Sequence, residues 1–214
     1  MSKLAKASSF HGSGPVKYKL QGPPEAPTGA TISIDYTNAP IPNHYYVTDY
    51  FEVKDLDPQV LFIFGKKTNV AGNERKLRSK LEIYFPAFFF IQQFWKSSRN
   101  FHEGLRKFAA SNGYSSDIPS VISEEIEKTQ TMHSNNLLMV QSGGECMMDF
   151  FYLSPRDFLL RTPKNLNVDL EALVRVIMSH TLLLGFLDSC EPIAETLSGK
   201  YGKEDALNEV VELD

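Results

Sequence analysis

One plan is written twice in this chain, and that repetition constrains its fold more than any other feature. Residues 43–110 and 135–200 each hold an Asn-led apolar strand, a turn, a second apolar strand and a longer link. A third apolar strand then runs straight into a hydrophobic helix, and the two copies lie about 92 or 93 positions apart. Asn43-His44-Tyr45-Tyr46-Val47 stands opposite Asn135-Asn136-Leu137-Leu138-Met139-Val140. Leu81-Glu82-Ile83-Tyr84-Phe85 precedes Val174-Arg175-Val176-Ile177-Met178 by 93 residues, with Pro86 opposite Ser179 and Phe90 and Phe94 opposite Leu183 and Leu187. The pattern repeats while the identities do not. It predicts an α+β protein of two similar antiparallel sheet-plus-helix units packed as an internal pseudo-dimer.

The flanks divide the chain further. Residues 1–30 are rich in Ser, Gly, Pro and Lys and predict a flexible N-terminal arm. A first β-β-β-α unit occupies 31–113, a connector helix 114–133, a second unit 134–201 and an acidic tail 202–214. In the first unit, Thr31–Tyr36, Tyr45–Val53, Gln59–Phe64 and Leu81–Phe85 are expected as strands, and residues 65–80 as a basic loop. Pro86 opens a helix to about Ala110. In the second unit, Leu137–Ser142 and Glu145–Leu153 flank a Gly143-Gly144 turn, because positive φ costs glycine little. Ala172–Met178 leads into a helix from about His180, which Pro192 is expected to kink or restart.

Composition excludes several classes. With 214 residues, 42% hydrophobic and 22% charged, the chain has the make-up of an ordinary globular protein. No apolar run reaches the ~18 residues that cross a bilayer. Met1-Ser2-Lys3-Leu4-Ala5-Lys6 lacks the apolar core of a signal peptide, so the expected location is cytoplasmic. Cys146 and Cys190 form neither a disulfide framework nor a zinc pattern. The charge is uneven: residues 1–110 carry +6 (15 Lys/Arg, 9 Asp/Glu) and residues 111–214 carry −10 (7 and 17). Such asymmetry orients halves or neighbouring copies, or simply marks an acidic solvated surface.

Four chemistries can be weighed from the residues. Lys66, Lys67, Arg75, Lys76, Arg78 and Lys80 form a candidate phosphate-binding cluster, extended by Lys96, Arg99, Arg106 and Lys107. Glu74 and Glu82 interrupt it, and the pI near 5.8 is far from that of a dedicated nucleic-acid binder. A Cys146 nucleophile with His180 as base and Glu145 or Asp149 as orienter needs a fold that joins them, whereas a thiol in an apolar strand is ordinarily buried and inert. The histidines His11, His44, His102, His133 and His180 lack metal spacing, so no metal or cofactor is expected. His11-Gly12-Ser13-Gly14 lacks the Lys-Ser/Thr ending of a phosphate loop. The aromatic helix from Phe88 to Phe108 packs a core. Phe88 and Trp95 widen its stripe and are the candidate interaction surface.

Residues 135–201 resemble short bacterial domains known only as domain of unknown function number 3467. The likeness rests on Asn135, Glu145-Cys146-Met147-Met148-Asp149-Phe150, Arg175-Val176-Ile177-Met178-Ser179 and Tyr201-Gly202. The first copy keeps the layout, with Leu61-Phe62-Ile63-Phe64-Gly65 in place of the acidic strand and Pro86 in place of the serine. That resemblance carries no catalytic residues to transfer. At Tyr84-Phe85-Pro86 the chain is also similar to SecB-type export chaperones, which implies an oligomeric holder of protein chains. Together these readings give a non-enzymatic protein–protein interaction or assembly module, self-associating or bound to a protein partner. Nucleic-acid binding through residues 66–80 is the alternative.

Overall fold

A computed structural model describes residues 15–21, 29–69, 75–116, 128–142, 145–154 and 170–202. The acidic tail after 202, the Gly143-Gly144 turn, His11 to Gly14 and residues 117–127 of the expected connector helix lie outside the described residues. The chain divides into two units, one of residues 1–41 with 152–172 and one of 42–151 with 173–214.

In the first unit, β1 (Val16–Gln21) pairs antiparallel with β2 (Gly29–Ile34), so this part of the expected arm is a hairpin. Alternation in Thr31-Ile32-Ser33-Ile34 suits a strand. Asp35 ends it by capping a turn at Tyr36–Asn38, its carboxylate accepting from the Thr37 amide at 3.1 Å and from Asn38 Nδ2 at 2.8 Å.

The second unit holds most of two four-stranded sheets and two long helical segments. The strands are β3 (Tyr45–Val47), β4 (Tyr50–Asp55), β5 (Gln59–Asn69), β6 (Arg75–Pro86), β7 (Lys128–His133), β8 (Asn136–Ser142), β9 (Glu145–Leu153) and β10 (Leu170–Ser179). One sheet runs β4-β5-β6-β7 and the other β3-β10-β9-β8. Both are mixed: β7 lies parallel to β6 and β3 parallel to β10. The expected antiparallel sheets are corrected to that extent. The last residues of the expected connector, 128–133, form strand β7, where Thr129 and Thr131 place β-branched side chains.

Tyr45–Val53, expected as one strand, is cut at Thr48 into β3 and β4, which join different sheets. Asn43–Val47 therefore does not hold the place of Asn135–Val140. The former enters a parallel edge strand, the latter a strand antiparallel to β9. The cut is chemical. Thr48 Oγ1 donates to Tyr50 O (2.5 Å) or Gly65 O (2.7 Å) and accepts from Gly65 N (3.1 Å), while Thr48 N bonds Ile177 O at 2.9 Å. Between β7 and β8, Ser134 Oγ donates to Asn136 O (3.0 Å) or Phe151 O (2.7 Å), and Ser134 N bonds Tyr84 O at 2.9 Å. Side-chain hydroxyls that take up local backbone groups in this way end strands.

After β6, α1 (Ala87–Phe89), a π-turn (Phe90–Trp95) and α2 (Lys96–Ser111) run on without a break. After β10, α3 (His180–Tyr201) starts on a Ser179 cap, with Leu182 N donating to Ser179 Oγ at 3.2 Å, and continues through Pro192. The sheets and helices bury one apolar cluster. Phe62 is its hub, with ring centroids 5.3–6.2 Å from those of Phe85, Phe90, Phe94, Phe150 and Phe186. Aromatic pairs at such spacings add ~0.5–1.5 kcal/mol each beyond burial.

Candidate interaction surface

Alternation along β9 and β10 sends Cys146, Met148, Phe150, Val174, Val176 and Met178 into the core. Met147, Asp149, Arg175 and Ile177 therefore occupy the opposite face of the sheet. The ladders complete that face: Val47 stands across from Ile177, Tyr45 across from Arg175, Val140 across from Met147 and Leu138 across from Asp149. Tyr45 is 59% exposed, Val47 54% and Val140 37%. Between them, Tyr46 turns the other way, and its hydroxyl bonds Ser79 Oγ at 2.9 Å.

Asp149 and Arg175 on this face neutralise each other, while Glu145 and Glu171, at the same alternation on the same two strands, are exposed. Asp149 is 4% exposed and takes two bonds from the Arg175 guanidinium, Nε to Oδ1 at 2.6 Å and Nη2 to Oδ2 at 2.7 Å. The Asp149 hydrogen bonds push the Arg175 pKa up against partial desolvation. The same guanidinium lies 5.9 Å from the Tyr45 ring centroid. An apolar surface with an internally neutralised ion pair, flanked by exposed carboxylates, suits a partner that brings apolar side chains.

The residues expected to form a surface are placed differently. Trp95 is 8% exposed and belongs to the core, its ring 5.8 Å from that of His102. The π-turn explains this correction: its i→i+5 bonds bring Phe90 and Trp95 to one side of the helix, and both are buried. Phe88 is half-buried, edge-on to Phe89 at 5.5 Å.

The basic segment is a hairpin ladder rather than a loop, with residues 70–74 outside the described residues. Lys66 stands across from Ser79 and Lys67 across from Leu77, with the register shifting between them, and Lys66 and Arg78 are exposed. Lys80 is also engaged by Glu82 at 2.8 Å. Arg75 sits on the ladder opposite Asn69.

Burial pushes the Cys146 thiol up to about 11 and Cys190 well above its ordinary value, so both are neutral thiols at physiological pH. Gln141 stands between Cys146 and His180, across the ladder from the former and bonded at 2.7 Å to Nε2 of the latter. Asp149 is taken by Arg175, and Glu145 is exposed at the strand end. His102 bonds Asp188 at 2.9 Å, and Arg106 binds the same carboxylate and Glu191, which ties α2 to α3. No group of three metal-ligating side chains occurs among the described residues. No described helix is long and apolar enough to cross a membrane.

Sequence reasoning missed Tyr45, Val47 and Val140, because an apolar strand residue reads as core until its sheet and face are known. The one available signal was Thr48-Asp49, a polar step inside an otherwise continuous strand. No protein-family model, curated protein or solved structure matches the chain.

Proposed function

We propose that this chain is a non-enzymatic protein-interaction module, cytoplasmic and built as an internal pseudo-dimer. It offers the outer face of the β3-β10-β9-β8 sheet to an apolar segment of a protein partner. The observation that carries the reading is the exposure of Tyr45, Val47 and Val140 around the closed Asp149–Arg175 pair. Large apolar side chains gathered on one sheet face favour association, since covering them removes apolar area from water at ~25 cal/mol per Å².

The pseudo-dimer reading is supported by matched bonds. Asp49 N donates to Gly65 O at 3.2 Å and Asn135 N to Phe151 O at 3.1 Å. Tyr50 pairs with Gly65 as Asn136 pairs with Phe151. The hydroxyls of Thr48 and Ser134 each reach the carbonyl two residues on and the second strand. These matches share a displacement of 86 residues, whereas the third strands and helix starts, Ala87 and His180, keep 93. The longer link before β10 absorbs the difference.

The test compares wild type with a Tyr45→Asp/Val47→Asp variant by light scattering, reading absorbance at 260 and 280 nm across the peak at low and high salt. A salt-resistant mass above 24.2 kDa that collapses in the variant supports the surface. The same assembly in both proteins sinks it, and a salt-sensitive excess at 260 nm puts nucleic acid first. If both are monomers, the two serve as matched baits, and retention of the same partners by both ends the proposal.

A further inference from the structure

The geometry points to a second binding capability, resting on the pseudo-dimer reading: a second copy of this chain can complete the fold by exchanging strands β3 and β7. Each of these strands leaves its own run of the chain. β3 precedes β4 yet pairs with β10, and β7 precedes β8 yet pairs with β6. Residues 42–113 thus donate one strand to the later half and receive one from it. Two-fold dimers make this reciprocal exchange between chains, and here a single chain closes it on itself.

The docking positions are defined atom by atom. Arg175 N donates to His44 O (2.8 Å) and Thr48 N to Ile177 O (2.9 Å) around β3, and Ser134 N donates to Tyr84 O (2.9 Å) at the end of β7. Tyr46 adds its bond to Ser79. None of these groups records whether the donated strand comes from the same chain or another. Proximity decides, and the link between Ser111 and Lys128 sets it. A tether of that order holds the two halves at an effective concentration in roughly the millimolar range, so the self-closed form dominates in dilute solution. Each extended residue spans at most about 3.3–3.6 Å. Deleting residues 118–125 shortens the reach by about 27 Å and disfavours closure within one chain.

The test uses the full chain with that deletion, carrying Glu82→Cys and Thr131→Cys, which face each other across β6 and β7. Neighbouring strands lie about 4.8 Å apart, within the span that a disulfide bridges. The expected result is a species of twice the monomer mass by light scattering, whose oxidised form stays at twice the mass on a non-reducing denaturing gel. A monomer cross-linked within itself overturns the proposal. Should the shortened chain not fold, two full-length copies, one with Glu82→Cys and the other with Thr131→Cys, are refolded together at high concentration. A mixed disulfide then supports the exchange, and its absence overturns it. Dimerisation through the Tyr45–Val47 face gives no disulfide between positions 82 and 131, so the two readings fail separately.

Discussion

Arg175 closes both carboxylate oxygens of Asp149 from the neighbouring strand, at 2.6 and 2.7 Å, on a face that also carries Met147 and Ile177. The pair is unequal in burial, since the Asp149 side chain is 5% exposed and that of Arg175 22%. Removing the arginine leaves the more buried charge uncompensated. Arg175→Met is therefore expected to destabilise the fold by about 3 kcal/mol, near the low end for breaking a buried pair because solvent reaches one side. Replacing both, as Asp149→Leu/Arg175→Met, is expected to recover most of that loss. Urea unfolding of the two variants and wild type checks this.

Phe62 touches five other aromatic rings and is fully buried. Phe62→Ala is expected to cost about 3–5 kcal/mol, among the largest losses of any single truncation here. Phe108→Ala, at an exposed position, is expected to stay within about 0.5 kcal/mol. Parallel thermal and urea melts separate the two.

What could be read in advance follows the range of the forces involved. The strand-to-helix junctions at Pro86 and Ser179 were legible because a helix start is local chemistry: a ring with φ preset in one case, a capping hydroxyl in the other. β8 and β9 were legible from their own apolar runs. The destination of Tyr45–Val47 was not, since its partner Arg175–Ile177 lies 130 positions away and parallel pairing leaves no mark on a three-residue segment. Lys76-Leu77-Arg78-Ser79-Lys80-Leu81 alternates as a strand should, but its charge density read as a loop. Trp95 read as surplus on a helix because the sequence does not announce a π-turn.

The corner hydroxyls offer a sharper check. Thr48→Val keeps the shape of the side chain but strips the group that serves the Gly65 carbonyl and amide. Leaving buried backbone groups without partners costs about 1–3 kcal/mol. Amide exchange at Gly65 and Thr48 is expected to accelerate while exchange at Ser134 stays unchanged, and Ser134→Ala is expected to show the reverse.

Both cysteines are buried, and burial raises both thiols. At pH 8 almost none of either is thiolate, so iodoacetamide is expected to leave the native protein unlabelled and to label two sites once urea unfolds it. Labelling of native Cys146 at the rate of a free thiol would revive the nucleophile reading.

Acid should loosen the contact at the end of α3 only below the ordinary carboxylate range. Asp57 accepts from Lys200 Nζ at 2.6 Å and from Tyr201 Oη at 2.5 Å, and the Lys200 bond, then that of Tyr201, holds its carboxyl below the ordinary 3.8. A carboxylate lowered on folding stabilises fully above its unfolded value, and that stability is lost as pH falls through the lowered one. Lys200 is raised above 10.5, chiefly by Asp57, so its contribution is full below that value and lost as pH rises through the raised one. The contact is thus complete from about pH 4 to pH 10. Carbon-13 titration of the Asp57 carboxyl is expected to show a midpoint below 3.8 in wild type and an upward move in Lys200→Met. Equal midpoints in the two proteins would show that the bond does not persist in solution.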